Sequence, residues 1–349
     1  MAREEFYSYL RQPMNIKEVA ERAAVSTATV SRTLNRSSLV KPKTANRVWA
    51  VIRELGYYPS SHARALVSGK TNLLGLIISD IVNPFFPELV KSFEFAAIQQ
   101  GYDVIVANTD YNPTRMGTCV RRMIERQVDG VAILTSEIES HLLDELSRRK
   151  LPIVFLDVGT VKPRISNIRV DYGKGIREAV EHVVSLGHKR IGFISGPLKL
   201  KSAKVRRAAF LKCIADCGIR KRQRILVEGD HRIDGGDTAM THMLSLPDPP
   251  TAVLVSNDLA AIGAMRSINR AGLRVPGDVS VVGFDDIDLS QSTQPPLTTV
   301  RLSRSELGQK AFEALYRNLQ ADNAEGEEIN VSTSLVLRQS TAPVRMKSG

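Results

Sequence analysis

Seven short apolar segments between residues 73 and 284 are the feature that most restricts how this chain can fold. Each has the length of one buried strand, and segments with helical periodicity lie between nearly all of them. The predicted strands are 73–79, 103–107, 130–134, 153–156, 191–195, 252–255 and 279–284. Helices are predicted, among others, at 87–100, 116–127, 173–186 and 203–217. The alternation indicates doubly wound parallel sheets, and the number of strands favours two sheets with a cleft between them.

The first part of the chain has a different pattern. Between residues 14 and 55, apolar residues recur at three- and four-residue spacing, which predicts three short helices. The three apolar stripes are Ile16, Val19, Ala20 and Ala23; Val25, Val30 and Leu34; and Val48, Val51, Ile52 and Leu55. Ser26 is placed to cap the second helix, and Gly56 is placed to end the third. Residues 1–13 lack a clear period and are expected to form a flexible tail.

The segment IKEVAERAAVSTATVSRTLN, residues 16–35, fits a helix-turn-helix. That motif needs a small residue where its helices cross, an apolar turn, and polar residues at the start of the second helix. Ala20 and Val25 meet the first two needs. The outward-facing positions of the second helix are Thr27, Ala28, Thr29 and Arg32. A generic small helical bundle is the alternative interpretation.

Charge is concentrated in the same region. The first seventy residues carry twelve Lys and Arg against five Asp and Glu, a net charge of +7 within +11 for the whole chain. A basic segment on a nearly neutral remainder is typical of a nucleic-acid-binding module. A merely solvated basic surface would give the same count.

The helix-turn-helix segment is followed by VKPKTANRVWAVIRELGYYP at residues 40–59. Together the two segments resemble the headpiece of the lactose-repressor (LacI/GalR) family of bacterial regulators. The resemblance continues through residues 14–344. It implies that Thr27 and Ala28 are the main base-reading residues and that Thr29 and Arg32 assist them. Arg32 can contact guanine bidentately, and the Ala28 methyl group can contact thymine.

Residues 60–68, SSHARALVS, are similar to the hinge helix of the family. Nine residues cannot hold an isolated helix in water, so we expect this segment to order only against a partner helix and DNA. Leu66 matches the leucine that the family wedges into the minor groove, where an apolar side chain bends the duplex. A packing role for Leu66 is the alternative.

The resemblance implies an α/β chain with an N-terminal three-helix helix-turn-helix headpiece and a two-lobed, periplasmic-binding-protein-like core of doubly wound parallel sheets. The expected divisions are a tail at 1–13, the headpiece at 14–59, a hinge helix and linker at 60–71, and an effector-binding and dimerisation core at 72–344. The core is expected to divide into an N-subdomain, about 72–171 and 301–329, and a C-subdomain, about 172–300 and 330–344.

Polar residues follow several predicted strands in segments that look like family signatures. These segments are NPFF at 83–86, FLD at 155–157, SAKVR at 202–206, SND at 256–258 and GFDD at 283–286. The residues that match ligand contacts of the family are Phe85, Phe86, Asp157, Arg206, Asn257 and Asp285. Carboxylate, amide and guanidinium groups can form hydrogen bonds with vicinal hydroxyls. An aromatic ring can cover the apolar side of a sugar. For Asp258 and Asp286 we expect helix capping instead.

Two departures bear on the effector. Leu200 stands where the purine-binding branch of the family has an arginine, which weighs against a nucleobase. Basic residues also crowd the start of the helix near 203, namely Lys199, Lys201, Lys204, Arg206 and Arg207. An anionic effector such as a sugar phosphate or sugar acid is therefore an alternative to a neutral sugar, and a solvated charged face is the ordinary interpretation.

Enzyme motifs are missing from the sequence. Residues 69–71, GKT, mimic the end of a phosphate-binding loop, but Arg64 occupies the required glycine position and the segment precedes a strand. Residues 192–196, GFISG, miss the hydrolase-elbow spacing by one residue. Cys119, Cys213 and Cys217 form neither a disulfide framework nor a zinc set. We expect no cofactor, no metal and no enzymatic activity.

Several expectations concern partners and location. The sequence has no secretory signal and no membrane span, so we expect a cytoplasmic protein without a membrane partner. We expect a homodimer that represses transcription by binding a pseudo-palindromic operator in double-stranded DNA and responds to a sugar or sugar derivative. Five residues after 344 are too few for a tetramerising coiled coil. A solute-binding protein or sugar-modifying enzyme on the same fold is the alternative, and the headpiece discriminates against it.

Overall fold

The computed structural model describes residues 15–34, 39–57, 70–135, 142, 145–146, 148–159, 161–321 and 324–345. The chain divides after Thr71 into two compact units, which we call the headpiece and the core. Among the described residues, no helix has the length and apolarity needed to cross a membrane.

The headpiece contains helices α1 (Ile16–Arg22), α2 (Thr27–Leu34) and α3 (Pro42–Leu55). Asn15 caps α1, because its side chain accepts hydrogen bonds from the amides of Lys17 and Glu18 at 2.9 and 3.1 Å. As predicted, the Ser26 hydroxyl accepts from the amide of Thr29 at 3.2 Å, and Gly56 ends α3 with φ of 58°.

The predicted apolar stripes form the core of the headpiece. Its fully buried members are Val19, Ala20, Ala23, Val30, Val48, Val51 and Ile52. The remaining stripe residues are partly buried around them, together with Trp49 and Tyr57. The three-helix prediction is therefore confirmed.

The core alternates strands and helices. Its strands are β1 (Leu73–Ile78), β2 (Asp103–Asn108), β3 (Gly130–Leu134), β4 (Ile153–Leu156), β5 (Ile165–Asp171), β6 (Ile191–Ser195), β7 (Arg224–Glu228), β8 (Ala252–Val255), β9 (Ser280–Asp285), β10 (Thr298–Leu302) and β11 (Glu328–Val336). Its helices are α4 (Phe85–Gln99), α5 (Pro113–Glu125), α6 (Tyr172–Ser185), α7 (Lys201–Asp216), α8 (Ile233–Leu244), α9 (Asp258–Arg270), α10 (Leu289–Ser292) and α11 (Arg304–Gln320). All seven predicted strands are present, whereas β5, β7, β10 and β11 were not predicted.

The strands follow the order β2-β1-β3-β4-β5-β11-β10-β9-β8-β6-β7. Every neighbouring pair is parallel except β10 with β11, which is antiparallel. We call the half built on β1–β5 the first lobe and the half built on β6–β10 the second lobe. The two sheets expected from the sequence are joined, because nine-residue β11 pairs with β5 along its first part and with β10 along its second. The α/β fold class is confirmed.

Candidate functional site

A cavity lies where the segments that follow the strands of both lobes meet. The free space in it, including its open mouth, is about 590 Å³. All six predicted ligand positions line it: Phe85, Phe86, Asp157, Arg206, Asn257 and Asp285. The first three belong to the first lobe and the other three to the second.

Arg206, on α7, is the central cation of the cavity and is 8% exposed. Its guanidinium stacks over the rings of Tyr172 and Phe284, at 4.9 and 4.2 Å from their centroids, and one terminal nitrogen donates to the Ser256 carbonyl. Its Nε is buried and has no hydrogen-bond acceptor among the described residues. A buried donor of this kind favours a ligand that can accept a hydrogen bond.

Asp285 ends β9 with φ of 111° and is 5% exposed. Its nearest cation is Arg206, with 3.8 Å between Oδ1 and the guanidinium nitrogen. Burial raises the pKa of Asp285 to about 7, although Arg206 and Arg304 oppose the rise. A ligand hydroxyl that donates to this carboxylate would replace hydration that the cavity removes.

Asp157 follows β4 with φ of 56°. Its two carboxylate oxygens accept hydrogen bonds from the Val170 amide at 2.9 Å and from the Tyr172 hydroxyl at 2.7 Å. Burial raises the pKa of Asp157, and these two hydrogen bonds oppose that effect. Each oxygen keeps a second lone pair, so Asp157 can both hold the wall of the cavity and accept from a ligand.

For Asn257 the sequence prediction favoured ligand contact over helix capping, but the residue does cap a helix. It is the N-cap of α9, with its side-chain oxygen accepting from the Ala260 amide at 3.1 Å. Its side-chain nitrogen donates to the His231 carbonyl at 2.9 Å. The side chain therefore lines the cavity with most of its hydrogen-bonding capacity already used.

His231 lines the same cavity and was missed by the sequence analysis. It has φ of 66°, and its Nε2 lies 2.9 Å from the Ser256 hydroxyl. Burial lowers the pKa of His231 to about 3, with Arg206 adding to the effect, so the ring is neutral at physiological pH. A lone histidine after an exposed strand gave no signal in the sequence.

Apolar groups also line the cavity. Phe85 and Phe86 at the start of α4 are each 7% exposed and pack edge to face, with their centroids 5.2 Å apart. The Asn83 side chain accepts from the Phe85 amide at 3.0 Å and fixes this turn. Leu200 adds a further apolar surface to the cavity. These rings suit the apolar face of a sugar.

The predicted capping roles of Asp258 and Asp286 are wrong. Asp258 is fully buried and accepts from the Ile287 amide at 2.9 Å and from the Thr299 hydroxyl at 2.5 Å. Burial raises its pKa well above the usual range.

Asp286 instead lies between two guanidinium groups, those of Arg301 and Arg338, each at 2.6 Å. Both partners of Asp258 and both guanidinium partners of Asp286 are distant in sequence, which explains why a local capping pattern was misleading.

The basic residues near α7 do not share one location. Of the five that the sequence analysis grouped, only Arg206 lines the cavity. Lys199, Lys201 and Lys204 are exposed, and the Lys201 ammonium donates to the Asp157 carbonyl at 2.6 Å. The cavity therefore contains one cation beside two carboxylates.

The predicted DNA-reading residues lie on α2. Thr27, Ala28 and Arg32 are exposed, whereas Thr29 is half-buried and its hydroxyl is 3.0 Å from that of Ser26. Further exposed cations stand at the start of α3, namely Lys41, Lys43 and Arg47. Leu66 lies outside the described residues, so its predicted hinge role stays a prediction.

Comparison with known proteins assigns both units to described families. Residues 15–60 match the model for bacterial regulatory proteins of the lacI family, and residues 180–341 match a periplasmic binding protein-like domain. A relative from Photobacterium profundum, named HTH-type transcriptional repressor PurR, is 34% identical over 93% of this chain and 98% of its own length. The relative named HTH-type transcriptional repressor CytR, from Escherichia coli K12, is 33% identical over 93% of this chain and 96% of its own length.

Solved structures agree with this assignment. The lac repressor dimer bound to operator and the anti-inducer ONPF matches with a TM-score of 0.84 and 32% identity, covering 95% of this chain and 100% of that one. A regulator of the same family from Enterococcus faecium with bound ribose matches with a TM-score of 0.71 and 29% identity, covering 78% and 100%.

Proposed function

The chain belongs to the lacI family of bacterial regulatory proteins, and from this premise we propose that it is a sequence-specific transcriptional repressor whose operator affinity is set by a small, sugar-like effector in the cleft. One observation carries the proposal. Three of the four predicted DNA-reading positions are exposed on a helix-turn-helix, while the six effector positions converge on one cavity in the core of the same chain.

The headpiece supplies the DNA contacts in this proposal. Thr27 and Ala28 read bases at the start of α2, with Thr29 and Arg32 assisting, and Lys41, Lys43 and Arg47 contact phosphates. A homodimer presents two such helices to the half-sites of a pseudo-palindromic operator. Leu66, in the proposed hinge at 60–71, inserts between base pairs at the centre of the operator. This activity takes place in the cytoplasm.

A neutral sugar fits the cavity better than an anion or a nucleobase. One cation, Arg206, faces the acidic side chains of Asp157 and Asp285, so a phosphate would share the cavity with two groups that are negative when deprotonated. Leu200 offers no hydrogen bond where a nucleobase would need one. The solved relative with bound ribose supports a ligand of this size and chemistry.

The effector acts by changing how the two lobes close. We propose the N-subdomain at about 72–171 and 301–329, and the C-subdomain at about 172–300 and 330–344. Because the cavity takes residues from both lobes, a ligand that bridges them favours the closed arrangement. The movement of the first lobe on closure then permits or prevents pairing of the hinge helices of the two protomers.

The test is binding of the full-length protein to DNA from upstream of its own gene and to a shuffled duplex. We expect a preference for the upstream DNA, and a roughly thousandfold loss of affinity between about 50 and 200 mM salt, as counterion release requires for several phosphate contacts. Arg32→Ala should reduce the preference, whereas Arg22→Ala, which removes an exposed arginine paired with Glu54, should keep it. Equal affinity for the two duplexes, or a flat salt response, would contradict the proposal.

A further inference from the structure

Two charged residues from different lobes meet at the rim of the effector cavity. Asp110 follows β2 in the first lobe, and Arg232 precedes α8 in the second. A guanidinium nitrogen of Arg232 lies 3.3 Å from Oδ1 of Asp110. The two residues are 122 positions apart in sequence, so this contact depends on the arrangement of the lobes.

The strand order shows why this contact is sensitive to lobe movement. The lobes are joined in the middle of the order, through β5, β11 and β10, whereas β2 and β7 are the outermost strands. Asp110 and Arg232 follow those two outermost strands. A rotation of one lobe about the central connection separates the outer edges most, so it breaks this ion pair before contacts near β11.

The neighbours of the pair belong to the cavity. Tyr111 and His231, each adjacent in sequence to one of the charged residues, both line it. Three residues here have positive φ values: Asp110 at 52°, Tyr111 at 53° and His231 at 66°. This left-handed region of the backbone is uncommon for residues other than glycine. Held in these conformations, the two segments bring their charged residues together outside the ligand space.

We propose that Asp110 and Arg232 form a clasp that holds the cleft closed and so sets effector affinity without touching the effector. The role in affinity rests on the proposed effector function, whereas the clasp itself does not. Both side chains are about half exposed, which limits the strength of the pair and lets it open readily. The effector would then stabilise an arrangement that the ligand-free protein already samples.

The surrounding charges provide a matched control. Arg115, in the first lobe like Asp110, has a guanidinium nitrogen 3.5 Å from Oδ2 of Asp110. Asp230 accepts from the Arg232 amide at 2.8 Å, within the second lobe. Only the pair of Asp110 with Arg232 crosses between lobes in this cluster of described residues. Arg115→Gln therefore removes a cation beside Asp110 and leaves the crossing pair in place.

Hydrogen–deuterium exchange of the ligand-free, full-length protein tests the clasp without effector or DNA. We compare wild type with Asp110→Asn, Arg232→Gln, the double variant and Arg115→Gln. Each clasp variant should speed exchange about two- to fivefold, the range for an exposed ion pair. The faster amides should include Phe86 and Asp285, which line the cavity from opposite lobes and belong to neither clasp segment.

The double variant should exchange no faster than either single variant, because each change already breaks the same pair. The clasp is refuted by additive effects, by unchanged exchange, by faster exchange confined to residues 109–112 and 229–232, or by an equal effect of Arg115→Gln. If a neutral variant fails to fold, Asp110→Glu and Arg232→Lys, which keep the charges, take its place and should show smaller effects of the same sign. Failure of the proposed effector function would leave these exchange results unchanged.

Discussion

The headpiece and the core bury different kinds of side chain. In the described part of the headpiece, the buried residues are apolar except Thr33, whose hydroxyl donates to the Thr29 carbonyl at 2.8 Å. The core buries whole ionisable groups, including Arg206, Asp258 and Asp285. In the headpiece, therefore, the interior supplies stability and the exposed surface carries most of the predicted DNA-reading residues, whereas the interior of the core contains the candidate site.

This contrast has a physical basis. A unit as small as the headpiece has little apolar surface to bury, and an unpaired buried charge would consume much of its stability. The larger core can tolerate ionisable groups around a cavity because its sheets supply a large apolar interior.

Gly263→Ala should destabilise the core by about 3 kcal/mol. Gly263 lets α9 cross α8 closely, because an added Cβ would lie 1.9 Å from the Ile233 carbonyl oxygen. Urea unfolding of the core measures the loss. Gly117→Ala on α5 is the matched control, since its nearest atom outside the helix is 4.0 Å away, and this change should be neutral or slightly stabilising. Equal effects of the two substitutions would disprove the close packing.

Val30→Ala should lower the stability of the headpiece by about 2 kcal/mol. Val30 is fully buried between the helices, and the headpiece has little stability to spare. Operator affinity should therefore fall while the thermal transition of the core stays at its wild-type temperature. Glu21→Ala, at an exposed position of α1, serves as the control and should change neither. A lower core transition in Val30→Ala would show that the two units do not fold independently.

Asp285→Asn should remove a pH dependence of about 1 kcal/mol between pH 6 and 8. Burial raises the folded-state pKa of Asp285 to about 7, whereas an unfolded aspartate titrates near 3.9. Its protonation thus favours the folded state; that contribution is full below the unfolded pKa and is lost as pH rises through 7. The check is urea unfolding of both proteins at the two pH values. The same slope in wild type and variant would mean that Asp285 does not titrate there.

Strands buried on both sides could be predicted almost to the residue. The bounds of β3, β4, β6 and β8 match the apolar runs, because parallel strands buried on both faces need continuous apolar sequence. The unpredicted strand β5 contains the buried polar residues Ser166 and Asn167, which interrupt its apolar pattern. The Asn318 side chain donates to the Ser166 hydroxyl from 152 positions away, and the Gly159 amide donates to the Asn167 side chain.

The candidate site was predicted through family resemblance more than through periodicity. Matching motifs found six of its residues, but His231 and Tyr172 carry no local signal and reach the cavity only through the fold. The capping predictions for Asp258 and Asp286 failed for the same reason. Charges whose partners lie far along the chain cannot be assigned from neighbouring residues alone.

In the proposed function, the headpiece selects DNA and the cleft controls that selection. The most direct measurement is an operator-binding isotherm with and without each member of a panel of neutral pentoses and hexoses, beginning with ribose, for wild type, Arg32→Ala and Arg206→Lys. Arg206→Lys keeps a charge beside Asp285 but loses the planar guanidinium group, which can donate two parallel hydrogen bonds.

We expect at least one sugar to change the operator affinity of wild type by about five- to 150-fold. Arg206→Lys should bind operator like wild type and lose that response, whereas Arg32→Ala should show a reduced operator preference while the same sugar still raises its core melting temperature. The account is contradicted if no sugar alters operator binding, or if Arg206→Lys weakens operator binding in the absence of sugar.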